Sequence, residues 1–90
     1  MILDNLHIQE VIKDTGWVLK GRSITKNFKF ETFDQAIMFV NQVGSVASEM
    51  QHHPHIEINN DRVKLNLTTQ EEGGVSDKDI TLAANIDELF

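Results

Sequence analysis

One apolar repeat constrains this chain more than any other feature of its sequence. Between residues 33 and 50, apolar side chains recur at three- and four-residue steps, which predicts an amphipathic helix. Thr32 with Gln35 fits a capping box at its start, and Pro54 requires it to end by about Gln51. Its apolar side consists of Phe33, Ala36, Ile37, Val40, Val43, Ala47 and Met50. The fold must therefore be built around one long helix with a buried side.

The segments on either side of this helix change to a period of two. Residues 17–31 predict a β-hairpin, in which Ile24, Phe28 and Phe30 alternate with polar side chains. Residues 56–67 predict a second hairpin, and its helix-facing side should consist of Ile56, Ile58, Val63, Leu65 and Leu67. Phe33 and Phe39 are also assigned to the core, and Trp17 is expected in the core or at its rim.

Two further helical patterns lie near the ends of the chain. Residues 3–15 predict a short amphipathic helix, with Asp4 or Asn5 as the N-cap. Its apolar side consists of Leu3, Leu6, Ile8, Val11 and Ile12. Ser76 with Asp79 fits a capping box that opens a closing helix. That helix should carry Ile80, Ala83, Ala84 and Ile86 inward, with Asp77, Asp79, Asp87 and Glu88 mostly in its solvated face and first turn.

The order of elements is α-β-β-α-β-β-α in a single domain of residues 1–90. Two hairpins with polar outer faces and three apolar-faced helices predict an α+β fold. We expect a four-stranded antiparallel sheet with the helices packed on one face. Its free outer edge would be a template for strand pairing, so a homodimer or homotetramer is expected.

Composition and charge narrow the classes of function. The formal charge is −6, and the eight Lys and Arg residues are scattered along the chain, which disfavours direct binding of nucleic acid. There is no cysteine, so disulfides and thiolate metal sites are excluded. The apolar runs are too short to span a bilayer, and no secretory signal pattern opens the sequence. We expect a cytoplasmic protein without membrane contact.

A histidine cluster follows the long helix, in the run Gln51-His52-His53-Pro54-His55. Histidine readily accepts and donates protons near neutral pH, so this cluster is a candidate for acid-base chemistry. Two alternatives remain open at this point. The residues could be solvated side chains in a turn, or His53 and His55 could share a strand face as metal ligands, although no motif such as HExxH accompanies them.

A second polar segment, Thr68-Thr69-Gln70-Glu71, follows the last predicted strand. In an antiparallel hairpin that turns near residues 59–62, the end of the second strand returns to the level where the first began. Thr68 to Glu71 should therefore lie near His52 and His53.

These motifs together resemble the pterin-4a-carbinolamine dehydratase family. The likeness rests on Trp17 after a short helix, His52-His53-Pro54, the run from Thr68 to Glu71, Gly74 and the segment from Ser76 to Ala83. The resemblance implies the same α-β-β-α-β-β-α fold. It also implies elimination of water from 4a-hydroxytetrahydropterin to give quinonoid dihydropterin, the step that recycles tetrahydrobiopterin.

The resemblance further implies the roles of individual residues. His52 and His53 would be the catalytic imidazoles, without a metal or separate cofactor. The pterin substrate would be bound by Gln51, His52, His53, Thr68, Thr69, Gln70 and Glu71. The chain departs from the family at Ser48, where an acidic residue is common, at Asn60, where an aromatic is usual, and at Gln70, where a third His often stands.

These departures leave two alternatives to the dehydratase. Relatives of this fold act as dimerisation cofactors and assembly chaperones, so a non-catalytic partner-binding or assembly role is one. A dehydratase-like enzyme that acts on another pterin is the other.

Overall fold

A computed structural model describes residues 3–90 and confirms the predicted order of elements. The helices are α1 (Asn5–Ile12), α2 (Phe33–Met50) and α3 (Asp77–Leu89), and the strands are β1 (Val18–Lys20), β2 (Ser23–Lys29), β3 (His55–Asn59) and β4 (Arg62–Leu67). Within residues 3–90, no helix has the length and apolarity needed to cross a membrane.

The four strands form one antiparallel sheet in the order β1-β2-β4-β3. In β4, Val63, Leu65 and Leu67 are fully buried, whereas the residues between them lie on the opposite face. The helices cover the first face, and the other face is open and polar. The edges of the sheet are β1 and β3. The homodimer or homotetramer expected from an unpaired edge stays a prediction.

The local chemistry of α2 explains its length. Thr32 Oγ1 accepts a hydrogen bond from the Gln35 backbone amide at 3.1 Å. The Gln35 side chain reaches back to the Glu31 amide at 3.1 Å, one residue earlier than in a standard capping box. At the other end, Gln51 adopts a left-handed conformation with φ 53°, which ends the helix before Pro54.

Several apolar positions that were predicted to face inward are exposed. Val11 is 41% exposed, and Ile58 on the edge strand β3 is 40% exposed although its partner Val63 is buried. Phe33 is 50% exposed, because helical side chains lean toward the N-terminus and this one opens the helix. Leu6 is 80% exposed, since α1 buries only the narrow stripe of Ile8 and Ile12 and Leu6 lies about 200° around the helix from Ile8. Ala84 in α3 is exposed, because it lies about 200° around the helix from Leu82, which is buried.

Trp17 belongs to the core, as predicted, with 4% of its surface exposed. Its indole Nε1 donates to the Asp87 carboxylate at 3.0 Å, and Lys26 Nζ contacts the same carboxylate at 3.0 Å. Asp87 therefore lies against the sheet rather than in the solvated face predicted for it.

Candidate functional site

The end of α2 determines where the first imidazole of the histidine cluster lies. The left-handed conformation of Gln51 turns the chain back, and the His52 backbone amide donates to the carbonyl of Ala47 at 3.0 Å. As a result the His52 side chain packs under the helix end, and only 8% of the residue is exposed.

The His52 imidazole contacts a carboxylate of α3. Nε2 of His52 lies 2.5 Å from Oδ1 of Asp79, and Asp79 is completely buried. The capping box of Ser76 and Asp79 is confirmed, but the prediction that Asp79 lies with the solvated residues of the first turn is wrong. Its side chain caps α3 on one side and holds an imidazole on the other.

The hydrogen bonds around Asp79 have a fixed direction. Oδ2 accepts from the Ser76 amide at 2.9 Å and from the Thr69 hydroxyl at 2.8 Å. The Thr69 proton is thereby used, so in the 2.6 Å contact between the two hydroxyls Ser76 is the donor. Because the Ser76 amide and the Thr69 hydroxyl both donate to it, Asp79 has the hydrogen-bonding environment of an ionised carboxylate, which the N-terminus of α3 also favours.

This arrangement selects a form of the His52 ring. A carboxylate only accepts hydrogen bonds, so Nε2 carries the proton, and in the neutral ring Nδ1 is the acceptor. Nδ1 has no hydrogen-bonding partner within residues 3–90. His52 can therefore present a proton acceptor of fixed orientation.

An open cleft of about 580 Å³ lies beside this imidazole. It is lined by Ser23, Gln51, His52, His53, Pro54, His55, Asn66, Thr68, Gln70 and Glu71. The predicted closeness of the segment after β4 to His52 and His53 is thus confirmed, although β4 ends at Leu67 and Gln70–Glu72 forms a short 3₁₀ turn. The volume is within the range of small-molecule sites.

The predicted site residues separate into two groups. His53, Gln70 and Glu71 are exposed at the cleft, and their side chains make no hydrogen bond within residues 3–90. Thr69, in contrast, is completely buried and does not line the cleft. Its hydroxyl donates a hydrogen bond to Asp79. Thr69 therefore does not lie at the cleft surface, where it was predicted to contact the substrate.

Sequence reasoning missed three residues of this region. Ser23 and Asn66 line the cleft from the open face of the sheet, a position that the alternation of β2 and β4 could have indicated. Asp79 was recognised only as a cap. No three His, Cys, Asp or Glu side chains among residues 3–90 are grouped so as to hold a metal ion, and His55 instead lies 3.6 Å from Glu57.

A groove of similar volume, about 560 Å³, lies at the other end of the strands. Its lining includes Lys29, Phe30, Phe39 and Phe90 and contains no imidazole. The cleft beside His52 is therefore the better candidate for proton-transfer chemistry.

Comparison with known proteins gives a consistent result. The profile of the family described as pterin 4 alpha carbinolamine dehydratase matches residues 2–89. A relative from Sulfurisphaera tokodaii, named as a candidate pterin-4-alpha-carbinolamine dehydratase, is 44% identical over 91% of this chain and 88% of its own length. A relative of the same description from Thermomicrobium roseum is 40% identical over 97% of this chain and 95% of its own.

Two solved structures share the fold. A protein from Brucella melitensis, described as a transcriptional coactivator/pterin dehydratase, superposes with a TM-score of 0.92 and 30% identity over 99% of this chain and 98% of its own. A pterin dehydratase-like RuBisCO assembly factor of the alpha-carboxysome superposes with a TM-score of 0.66 over 81% of this chain and 84% of its own. At 23% identity the second likeness concerns the fold alone.

Proposed function

Because this chain belongs to the pterin 4 alpha carbinolamine dehydratase family, we propose that it eliminates water from a 4a-hydroxytetrahydropterin and releases the quinonoid dihydropterin, as tetrahydrobiopterin recycling requires. The observation that carries this proposal is the His52 imidazole, which is held by a buried carboxylate and opens onto a cleft that also contains His53.

The reaction consists of two proton transfers around one bond cleavage. The C4a–O bond breaks, and the departing hydroxyl takes up a proton to leave as water. The adjacent ring nitrogen loses its proton, and its electron pair forms the new C=N bond. A base and an acid on the protein can assist these steps, each by about 10²- to 10⁴-fold.

We assign the base to His52 and the acid to His53. His52 presents Nδ1 as an acceptor because Nε2 is engaged with Asp79, and the neighbouring carboxylate stabilises the ring when it becomes protonated. His53 is exposed, so it can recover its proton from water after each turnover. The net proton transfer from His53 to His52 is reversed through solvent.

The amide of Gln70 supports binding rather than proton transfer. An amide donates and accepts hydrogen bonds but does not exchange a proton near neutral pH. Together with Gln51 and Glu71, it offers polar atoms to the edge of a pterin ring in the cleft. In this assignment the imidazoles of His52 and His53 perform the acid-base chemistry.

The proposal is tested by the rate of dehydration of a freshly generated 4a-hydroxytetrahydropterin. We expect the wild-type chain to exceed the uncatalysed rate, and Gln70→His to raise its rate further, by up to about 10²-fold, since it adds one acid-base group. Gln70→Asn is the matched control, because it keeps an amide and should bring no gain.

A wild-type rate equal to the uncatalysed rate, unchanged in Gln70→His, would contradict the dehydratase. It would favour the alternative of a partner-binding or assembly protein. Acceleration only with a different pterin would instead favour the related enzyme.

A further inference from the structure

Charge is divided unevenly between the two layers of the molecule. The four strands carry five of the eight cations, namely Lys20, Lys26, Lys29, Arg62 and Lys64, against the single carboxylate of Glu57. The three helices carry one cation, Lys78, against the carboxylates of Glu10, Asp34, Glu49, Asp77, Asp79, Asp87 and Glu88. The sheet is thus positive in a chain whose net charge is −6.

Three of these cations, Lys29, Arg62 and Lys64, form a cluster on the open face of the sheet, which we call the basic row. Lys29 and Arg62 are direct cross-strand partners, and Lys64 is the next residue of β4 on the same face. Like charges in directly opposite positions destabilise a sheet. The basic row therefore lowers the stability of the sheet, so its presence needs an explanation other than folding.

No carboxylate within residues 3–90 forms an ion pair with a cation of the basic row. Glu57 is the register partner of Lys64, yet its carboxylate lies 3.6 Å from the imidazole of His55 and forms no ion pair with Lys64. Asp61 precedes Arg62 and forms no ion pair with it. The three cations are free to bind an anion from outside.

The basic row continues the lining of the cleft along β4. Thr68 and Asn66 line the cleft, and Lys64 follows at the next position on the same face, about 7 Å from Asn66 along the strand. Thr25, the register partner of Asn66, has a buried hydroxyl without a hydrogen-bonding partner among residues 3–90. A ligand side chain that extends from the cleft along β4 would therefore pass Asn66 and Thr25 before it reaches the three cations.

We propose that the basic row binds an anionic side chain of the substrate, so that the preferred substrate class is a pterin whose side chain ends in a phosphate. This inference rests on the proposed function, which places the pterin ring in the cleft. A phosphate monoester carries nearly two negative charges, and Arg62 can bind it through two parallel hydrogen bonds. A nucleic acid is a poorer match, because such proteins neutralise about 6 to 10 phosphates and this face has three grouped cations.

The test compares two reduced pterins that differ only in the phosphate, 7,8-dihydroneopterin and its 3′-monophosphate, by calorimetric titration of the full chain. We expect the phosphate to lower Kd by about ten-fold at low ionic strength, and salt to reduce this advantage. Arg62→Gln and Lys64→Gln should each reduce the advantage by about three-fold and leave the Kd of dihydroneopterin unchanged. Lys13→Gln, which removes the same charge at a position just after α1 and outside the sheet, should preserve it.

The two proposals fail in distinguishable ways. Equal Kd values for both pterins in the wild-type chain would overturn the proposal that the basic row binds an anionic side chain. They would not contradict the proposal that the cleft binds the pterin ring. Absence of any dihydroneopterin binding would count against the proposed function itself. Displacement of the phosphorylated pterin by a single-stranded oligonucleotide with a lower Kd would overturn this inference in favour of a macromolecular anion.

Discussion

The two imidazoles of His52 and His53 are adjacent in the chain but occupy opposite environments. His52 is 8% exposed, and its ring contacts Asp79, which is itself held by Thr69 and Ser76. His53 is exposed and forms no side-chain hydrogen bond within residues 3–90. One side of the cleft is therefore built into the packing of α3, whereas the other is available to a ligand.

This difference predicts that substitutions on the two sides of the cleft have different effects on folding stability and on reaction rate. A change on the buried side removes a hydrogen-bonded partner from an ionised group, so it must affect folding as well as activity. A change on the open side leaves no buried group unsatisfied. Variants of the two sides should therefore have different patterns of stability and rate.

The largest effect is expected for Asp79→Asn. The amide keeps the shape of the side chain, but it presents an N–H group to neighbours that all donate. We expect the free energy of unfolding, measured by urea denaturation, to fall by about 2–4 kcal/mol. Asp77→Asn, an exposed carboxylate in the same first turn, is the control and should change it by less than about 0.5 kcal/mol. Equal effects of both variants would contradict the buried network.

A smaller effect is expected from the neighbouring threonines after β4. Thr69→Val removes a donor to Asp79 and should lower the free energy of unfolding by about 1–2 kcal/mol. Thr68→Val removes a more exposed hydrogen bond to the Arg22 carbonyl, so about 0.5 kcal/mol is expected. A loss for Thr68→Val as large as that for Thr69→Val would show that burial does not distinguish these hydroxyls.

The period of the apolar residues predicted most of the fold. The repeat from Phe33 to Met50 and the alternation of β2 and β4 correctly gave the elements and their order. The exposed Phe33 was missed because periodicity does not tell how far a helix start extends beyond the sheet. The same alternation that buries Leu65 and Leu67 also predicts that Thr69 faces the helices. This was missed because Thr69 was assigned to the site as a polar residue and its position in the alternation was not considered.

The candidate site was predictable only where the pairing of neighbouring strands determined it. Antiparallel pairing of β3 with β4 was sufficient to place Gln70 and Glu71 near His52. The contact of His52 with Asp79 spans 27 residues and joins the end of α2 to the first turn of α3. It depends on how α3 packs against the end of α2, which the capping box of α3 does not specify.

The most direct test of this account measures stability and dehydration rate together in two variants, His52→Ala and His53→Ala. We predict that both lose about 10²- to 10⁴-fold in rate. Only His52→Ala should also lose about 1–3 kcal/mol in the free energy of unfolding, because it leaves the buried Asp79 oxygen without its donor. A His53→Ala protein with the wild-type rate, or a His52→Ala protein with wild-type stability, would contradict the division of the cleft into a built-in side and an open side.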